Sequence, residues 1–312
     1  MTLVDRLWSA LLAMQRLSWE QGVASHAAID TGNLALAKAF AHDAVVRQDQ
    51  HGRLGATGDT GLVNGGSLME AVALLGEPGA DALERQRWAL LRHGPRDDSG
   101  VLWHLEGLHE VWVDTVYMVV PSLVVTGDFA PADMQYRMHK EHLWDPHTGL
   151  YRHRVNTVTG EAVRGALWAT GNGWVAAGLA RALRLGGDST PSEMRARWQR
   201  DASELLEACA AWERPDGRFH DVLNDSESFV DGTAGLMLAF AAFTGVADGW
   251  LNASWAERAR RWMDASLAKV GEDGLVREVC GSPHFITQGT SAEAQAFALL
   301  ALTAAARTEA VS

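Results

Sequence analysis

The sequence has little cysteine and little proline, and it lacks a long apolar run. Its 312 residues include two cysteines, Cys209 and Cys280, too few for a disulfide framework. Proline occurs 8 times, whereas average usage of roughly 5% would give about 16. No stretch of about 20 apolar residues is present, so we expect no membrane span. Residues 1–22 form an amphipathic pattern without the features of a secretion signal, and we expect a cytoplasmic protein.

Positive charge is also scarce. The chain has 27 Lys and Arg against 39 Asp and Glu, a net charge of −12, and no basic cluster interrupts this acidity. Nucleic-acid binding depends on neutralising phosphates, so neither a nucleic acid nor a membrane is expected as a partner. The 47% of hydrophobic residues and 21% of charged residues are typical of a globular protein.

Strand patterns are nearly absent, and helical periodicity takes their place. Apolar residues recur at helical spacing in segment after segment, with Gly, Pro or Asp at the breaks. The pattern predicts twelve helices: 3–17, 20–31, 34–49, 64–75, 80–93, 112–126, 131–143, 172–185, 191–212, 230–245, 249–269 and 290–307.

Five similar loops alternate with these helices. Each has acidic or polar residues before a glycine and apolar residues after it: 49–54, 97–104, 145–153, 214–220 and 272–277. A repeat made of a helix pair and a loop cannot bury its apolar stripe alone, so the pairs must stack. Six pairs without polar capping ends favour a closed ring. We therefore predict an all-α (α/α)6 barrel, a single domain over 1–312, with these loops at one end of a central cavity.

Asp114 is the most unusual carboxylate in the chain. It lies alone in the apolar stretch 111–121, and burial there would raise its pKa until it serves as a general acid. The alternative is a helix N-cap, a position that Asp favours. A capping box would require Glu or Gln at position 117, which is Tyr.

Other candidate site residues are polar or aromatic side chains in apolar or Gly-rich surroundings. The aromatic ones suit stacking on sugar rings, although most buried aromatics only pack. These candidates are Trp19, Glu20, Asp59, Asn64, His153, Trp168, Asn172, Trp174 and His220. The segment 171–176 fits G-x-G-x-x-A but lacks a βαβ context, and neither a serine-hydrolase elbow nor a phosphate loop is present.

In order and spacing, several segments resemble the unsaturated glucuronyl and rhamnogalacturonyl hydrolases, glycoside hydrolase families 88 and 105. The resemblance is closer to family 105 and covers about residues 60–300. It rests on V-D-T-V-Y-M at 113–118, T-G-L-Y-R-H at 148–153, L-W-A-T-G-N-G-W at 167–174, D-G-R-F-H-D-V-L-N-D at 216–225 and G-T-S-A-E-A-Q-A-F at 289–297.

The resemblance implies the same (α/α)6 barrel and an oligosaccharide substrate. Asp114 matches the family's general acid, which protonates C4 of a Δ4,5-unsaturated uronic acid while water adds at C5. His153, Trp168, Asn172 and Trp174 would line the substrate site, with His220 nearby.

Two positions depart from the family pattern. Thr170 stands where the family often has an Arg suited to the uronate carboxylate, and Arg164 is a possible replacement. Gly61 stands where a second Asp is expected, with Asp59 two residues away as the second candidate catalytic carboxylate.

Other functions remain open at this point. An inverting glycosidase would need a second essential carboxylate such as Glu20, Asp59 or Asp231. A sugar epimerase would need paired histidines such as His153 and His220, and a non-catalytic sugar-binding protein would need neither. No metal and no cofactor is expected, and the sequence does not predict an oligomeric state.

Overall fold

The computed structural model describes residues 1–57, 59 and 61–311. Within them, twelve α-helices provide most of the structure: α1 Leu3–Met14, α2 Ser18–Asp30, α3 Leu34–Val46, α4 Met69–Ala73, α5 Glu77–Trp88, α6 Thr115–Val125, α7 Phe129–Leu143, α8 Ala169–Gly186, α9 Ser192–Ala210, α10 Thr233–Ala247, α11 Trp255–Leu267 and α12 Ala292–Val311. A 3₁₀ helix, Asn64–Leu68, leads into α4, a π-helical turn, Ala89–His93, extends α5, and a second 3₁₀ turn, Gly187–Ser189, follows α8.

Among the described residues, short strands form four antiparallel pairs. They are β1 Glu110–Trp112 with β4 Arg154–Asn156, β2 Trp144–Asp145 with β3 Leu150–Tyr151, β5 Phe219–His220 with β6 Val230–Asp231, and β7 Val279–Cys280 with β8 Gln288–Gly289. Each strand has two or three residues, too few to produce the period-2 pattern that identifies strands in a sequence. All of them lie in connections from an odd-numbered helix to an even-numbered one.

The even-numbered helices form a closed inner ring. Helix α2 contacts the 3₁₀ helix before α4, this segment contacts α6, and the series continues through α8, α10 and α12 back to α2. Helices α6, α8 and α10 are buried on nearly every side, whereas the odd-numbered helices lie outside the ring. The structure thus confirms the (α/α)6 barrel, and helices from both ends of the chain close it.

The five repeated loops hold neighbouring hairpins together. In all of them the glycine has a positive φ that favours this residue type: Gly52 (85°), Gly100 (96°), Gly149 (70°), Gly217 (78°) and Gly274 (81°). The loops pack on the outer layer of the next hairpin; Gly52 lies against Arg85 of α5 and Gly217 against Arg261 of α11. Gly274 lies against Arg6 of α1, so the fifth loop joins the two ends of the ring.

Side-chain amides fix most of these loops. The backbone N–H two residues after the glycine donates to an amide oxygen in four cases: Leu54 to Gln86 (2.7 Å), Leu102 to Gln135 (3.0 Å), Tyr151 to Asn172 (2.8 Å) and Val276 to Gln295 (3.1 Å). The Gln295 amide also donates to the carbonyls of Leu7 (3.3 Å) and Gly274 (2.6 Å). Helix α12 is thereby bonded to α1 and to the fifth repeated loop, which precedes α12 in the chain.

Three predicted helix starts near the cavity are wrong by a few residues. The predicted helix 112–126 begins at 115, because residues 110–112 pair with β4. The predicted helix 230–245 begins at 233, because Val230 and Asp231 form β6. The predicted helix 172–185 begins at 169, so Gly171 and its neighbours lie inside α8 rather than in a turn. A Cβ at Gly171 would lie 2.6 Å from Val113 Cγ1, which explains this glycine by close packing.

Among the described residues, no helix combines the length and the apolarity that crossing a bilayer requires.

We predict that Gly274→Ala destabilises the ring closure more than a matched change elsewhere. Gly127 has a similar φ (76°) with open space where a Cβ would lie, whereas a Cβ at Gly274 would lie 2.2 Å from the Arg6 carbonyl oxygen. Both changes should cost about 1–2 kcal/mol of backbone strain, and Gly274→Ala about 1–3 kcal/mol more for the clash. Urea unfolding of both variants measures the difference. Equal losses would show that the contact with α1 contributes little.

Candidate active site

A cavity of about 600 Å³ opens at the end of the barrel where the odd-to-even connections lie. The repeated glycine turns remain outside it, packed on the outer helices, and the segments that follow them form its wall. Seven of the ten predicted site residues line the cavity: Trp19, Asp59, Asn64, Asp114, His153, Trp168 and Trp174.

Asp114 places a buried carboxyl group at this cavity. It occupies the N-cap position of α6, but its side chain makes no capping hydrogen bond. Its Oδ2 atom is buried and has no hydrogen-bond partner within the described structure. Burial raises the pKa of Asp114 from 3.8 to about 6, although Arg164 and Arg154 oppose the shift. The helix-cap alternative therefore does not account for this side chain, which can hold a proton close to neutral pH.

His153 lies beside Asp114 as a neutral imidazole. Its Nε2 is 3.8 Å from Asp114 Oδ2, too far for a hydrogen bond. Burial, with the positive charges of Arg164 and Arg154, lowers the pKa of His153 well below 6.5. Arg164 Nη1 lies 3.0 Å from His153 Nδ1, and because arginine can only donate, Nδ1 must accept. The proton of His153 is therefore on Nε2, the nitrogen that faces Asp114.

A β-hairpin carries two arginines into the cavity. Arg154 N–H donates to the Arg164 carbonyl (3.1 Å), so the two residues are neighbours across the hairpin. The Arg154 guanidinium lies 4.8 Å from the centre of the Trp112 ring, and that of Arg164 lies 5.6 Å from the Trp168 ring. These two cations give one wall of the cavity a positive charge.

Asp221 positions part of this wall. Its Oδ1 accepts from Trp168 Nε1 (2.9 Å) and its Oδ2 is 3.5 Å from Arg164 Nη2. Burial, with the negative charge of Asp231, raises the pKa of Asp221 to about 6. Asp221 thus links the indole of Trp168 to the guanidinium that holds His153.

Asp59 and Asn64 form a second polar group in the cavity. The Asp59 carboxylate accepts from the Ser18 N–H (3.2 Å), the Gly61 N–H (2.7 Å) and Asn64 Nδ2 (3.1 Å), as well as from the Ser18 hydroxyl. With its Nδ2 held in this way, Asn64 has a buried Oδ1 without a partner in the described structure. Asn64 can therefore accept a hydrogen bond from a ligand.

Three predicted substrate-binding residues have other partners and do not line the cavity. Glu20 Oε2 accepts the Arg16 N–H (2.6 Å) and the Leu17 N–H (2.8 Å) at the start of α2. Asn172 is fully buried and bonds the backbone of β3. His220 contacts Arg214 Nη1 (2.6 Å) and the Ser228 carbonyl (2.9 Å), and unlike His153 it is not among the described residues that line the cavity. The partners of these three side chains give each of them a structural role, and the cavity does not bring together the histidine pair of the epimerase hypothesis.

Thr170, where the sequence departs from the family pattern, is not among the described residues that line the cavity. Thr170 is fully buried, and its hydroxyl donates to Asp231 Oδ2 (2.5 Å). Asp231 Oδ1 in turn accepts the Thr233 N–H (2.8 Å) and the Cys280 N–H (2.9 Å). Arg164 brings a guanidinium to the site by another route, from the hairpin before α8.

Several cavity residues were not predicted as site residues: His104, Trp112, Arg154, Asp221, Phe285 and Glu293. Arg164, which also lines the cavity, was expected only as a replacement for the family's arginine. Glu293 had the same signal as Asp114, a single carboxylate in an otherwise apolar segment, but its position near Thr290 and Ser291 favoured a helix start. Burial lowers the pKa of His104 to about 3, and its Nδ1 forms a hydrogen bond of 2.9 Å with Thr115 Oγ1. The path of a loop brings His104 to the cavity, and no sequence pattern predicted that path.

Comparisons with known proteins agree with this architecture. The family model of Glycosyl Hydrolase Family 88 matches residues 11–308. The unsaturated rhamnogalacturonyl hydrolase YesR of Bacillus subtilis is 28% identical over 205 residues, which cover 61% of this chain and 57% of YesR.

Solved structures show the same fold. A possible member of glycoside hydrolase family 105 from Salmonella enterica is 19% identical, with a TM-score of 0.83 over 97% of this chain and 92% of its own. The unsaturated glucuronyl hydrolase of Bacillus sp. GL1 is 15% identical, with a TM-score of 0.69 over 96% of this chain and 85% of its own. Because the family model covers nearly the whole sequence, the chain belongs to glycosyl hydrolase family 88.

Proposed function

We propose that the protein removes a Δ4,5-unsaturated uronic acid from the non-reducing end of an oligosaccharide, with Asp114 as the general acid. The observation that carries this proposal is the unpaired, buried Oδ2 of Asp114 in the cavity. A carboxyl with a pKa of about 6 suits proton donation near neutral pH. Family membership and the similarity to YesR support the same chemistry.

The proposed reaction needs one acid and one water molecule. Asp114 gives its proton to C4 of the enol ether, and positive charge develops at C5 and the ring oxygen. The Asp114 carboxylate then takes a proton from water as the water oxygen bonds to C5, which restores the acid. The hemiketal opens by breaking the bond from C5 to the ring oxygen, and C1 then releases the remaining saccharide as an alcohol.

We assign the uronate carboxylate to the wall formed by Arg154 and Arg164. A guanidinium binds a carboxylate through two parallel hydrogen bonds, and these cations lie beside His153 and thus close to Asp114. This arrangement would compensate for Thr170. Trp168 and Trp174 offer apolar surfaces for the sugar ring, and Asn64 Oδ1 offers an acceptor for a hydroxyl.

A conventional inverting glycosidase is the second candidate, because Asp59 and Asp114 line the same cavity. Such an enzyme needs one of the two carboxylates to activate water. The Asp59 carboxylate instead holds the Ser18 and Gly61 backbone and the Asn64 amide, which favours an orienting role. Hydrolysis of saturated p-nitrophenyl glycosides, lost in Asp59→Asn, would favour the inverting enzyme.

We predict that Asp114→Asn lowers turnover by about 10²- to 10⁴-fold, the usual contribution of a general acid. The assay follows loss of enol-ether absorbance in the ultraviolet with lyase-generated unsaturated disaccharides. In the wild type, kcat/KM should be constant below about pH 6 and fall above it, as Asp114 loses its proton. Asp221→Asn is the control, since Asp221 also has a pKa of about 6. The kcat/KM of this variant should show the same decrease above about pH 6. If the decrease were absent, it would be assigned to Asp221.

We also predict that Asp114→Asn stabilises the protein at neutral pH. The folded-state pKa of Asp114 lies above 3.8, so the cost of ionising the buried carboxyl develops as pH rises from about 4 to about 6. Asn carries no charge, so the variant should be more stable by up to about 3 kcal/mol at about pH 7.5 and by about 1 kcal/mol at about pH 4.5. Urea unfolding at both pH values measures the gain. A variant no more stable than wild type at pH 7.5 would contradict the burial of an unpaired carboxylate.

For Arg164→Gln we predict a rise in KM of about 10- to 100-fold on unsaturated disaccharides, because a hydrogen bond between charged groups is lost. Arg152→Gln is the matched control: Arg152 lies on the same segment, but its guanidinium is 3.4 Å from Asp145 and does not line the cavity. Steady-state kinetics of the two variants provide the comparison. Equal KM values for both would remove Arg164 from the uronate site.

A further inference from the structure

Glu293 is a second buried carboxyl group that the proposed reaction does not use. It lies in the first turn of α12, lines the cavity and is 1% exposed. Its Oε2 atom is buried and has no hydrogen-bond partner within the described structure. A buried polar atom without a partner is costly, so its position beside a ligand cavity calls for an explanation.

The position of Glu293 in the ring separates it from the acid. The inner helices follow one another as α2, α4, α6, α8, α10 and α12, so α6 and α12 are three places apart in a ring of six. Asp114 is the N-cap residue of α6, and Glu293 lies in the first turn of α12. The two carboxyl groups therefore belong to opposite sides of the cavity, and a bound sugar would lie between them.

Burial favours the protonated form of Glu293. It is the largest effect and raises the pKa of Glu293 to about 8, while hydrogen bonds from the backbone of Glu293 and from Ser291 oppose the rise. Glu20 at the start of α2 and Asp231 before α10 add smaller contributions in the same direction as burial. Of the other charged groups that face the cavity, Asp59, Asp114 and Asp221 are acidic, and Arg154 and Arg164 lie on the hairpin before α8.

We propose that Glu293 is a substrate-binding residue that donates its carboxyl O–H to a hydroxyl oxygen of the bound sugar. This inference rests on the proposed function, in which the substrate is an anion. Only the neutral acid can donate, and an ionised Glu293 would also repel the substrate carboxylate. The cavity would thus bind the anionic side of the sugar at Arg154 and Arg164 and an uncharged hydroxyl at Glu293.

The test measures binding without turnover. An Asp114→Asn protein carries no titrating acid at position 114 and holds the substrate unchanged. Isothermal calorimetry with unsaturated rhamnogalacturonan and glucuronyl disaccharides then gives the Kd between about pH 7 and pH 9.5, alone and with Glu293→Gln or Glu293→Leu added. Glutamine retains a donor in the same shape and cannot ionise, so it is the conservative variant.

We expect the Kd of the Asp114→Asn protein to rise by about 30-fold from about pH 7 to about pH 9.5, the ratio of protonated fractions for a group with a pKa of about 8. With Glu293→Gln the Kd should stay near its neutral-pH value at both pH values. With Glu293→Leu it should be about tenfold weaker at pH 7, the effect of one lost hydrogen bond, and nearly independent of pH.

Three results would overturn the inference. The first is an unchanged pH dependence of the Kd in Glu293→Gln, which would assign the titration to another group. The second is normal binding in Glu293→Leu, which would remove the hydrogen bond. If Glu293→Gln binds normally but abolishes turnover in the Asp114 protein, Glu293 is a proton donor in the reaction and the binding role is wrong.

The proposed function and this inference fail in different ways. Disaccharide that binds to the wild type, with the Glu293 dependence described, but is never consumed would overturn the proposed function alone. Turnover by the wild type with a Kd independent of Glu293 would overturn the inference alone. If no disaccharide of the panel binds or reacts, both are wrong.

Discussion

The contact that closes the inner ring determines the geometry of everything in the cavity. The walls of the cavity come from several hairpins, and the contact between α12 and α2 closes these hairpins into a ring. Gln295 connects α12 to α1 and to the last repeated loop through three hydrogen bonds. Gln86 and Gln135 bond the corresponding N–H groups in other loops. A repeated need to satisfy buried backbone groups therefore produces a rigid frame, on which side chains from distant parts of the chain meet.

This frame carries carboxyl groups that would be unfavourable in an ordinary core. Asp114 and Glu293 each have a buried oxygen without a hydrogen-bond partner in the described structure. The free energy that these groups cost must come from the apolar packing of α6, α8 and α10, which are buried on nearly every side. Stability is exchanged for a site in which burial raises the pKa of both acids, as is common where function needs a perturbed pKa.

The sequence predicted the features that depend on a single unusual residue or on the regular spacing of apolar residues. Helical periodicity and the repeated loops were sufficient for the barrel, and the isolation of Asp114 in an apolar stretch identified one of the two cavity-lining aspartates whose pKa burial raises to about 6. The errors share a cause. Asn172 and Glu20 looked like site residues because they are polar in apolar surroundings, but their partners are backbone groups, which a sequence does not display. Arg154 was missed for the opposite reason, because a polar hairpin carries no sign of which side chains turn inward. Arg164 was expected only through the resemblance, as a replacement for the family's arginine.

The charge distribution of the cavity follows from the order of the hairpins. The cations come from the connection before α8, whereas Glu293 and the neighbouring Glu20 and Asp231 belong to α12, α2 and the start of α10. Under the proposed function, the substrate carboxylate would bind at these cations and a hydroxyl at Glu293. Such unlike walls would orient the sugar and bring its reacting carbon to Asp114 without a hydrogen bond that directs the acid.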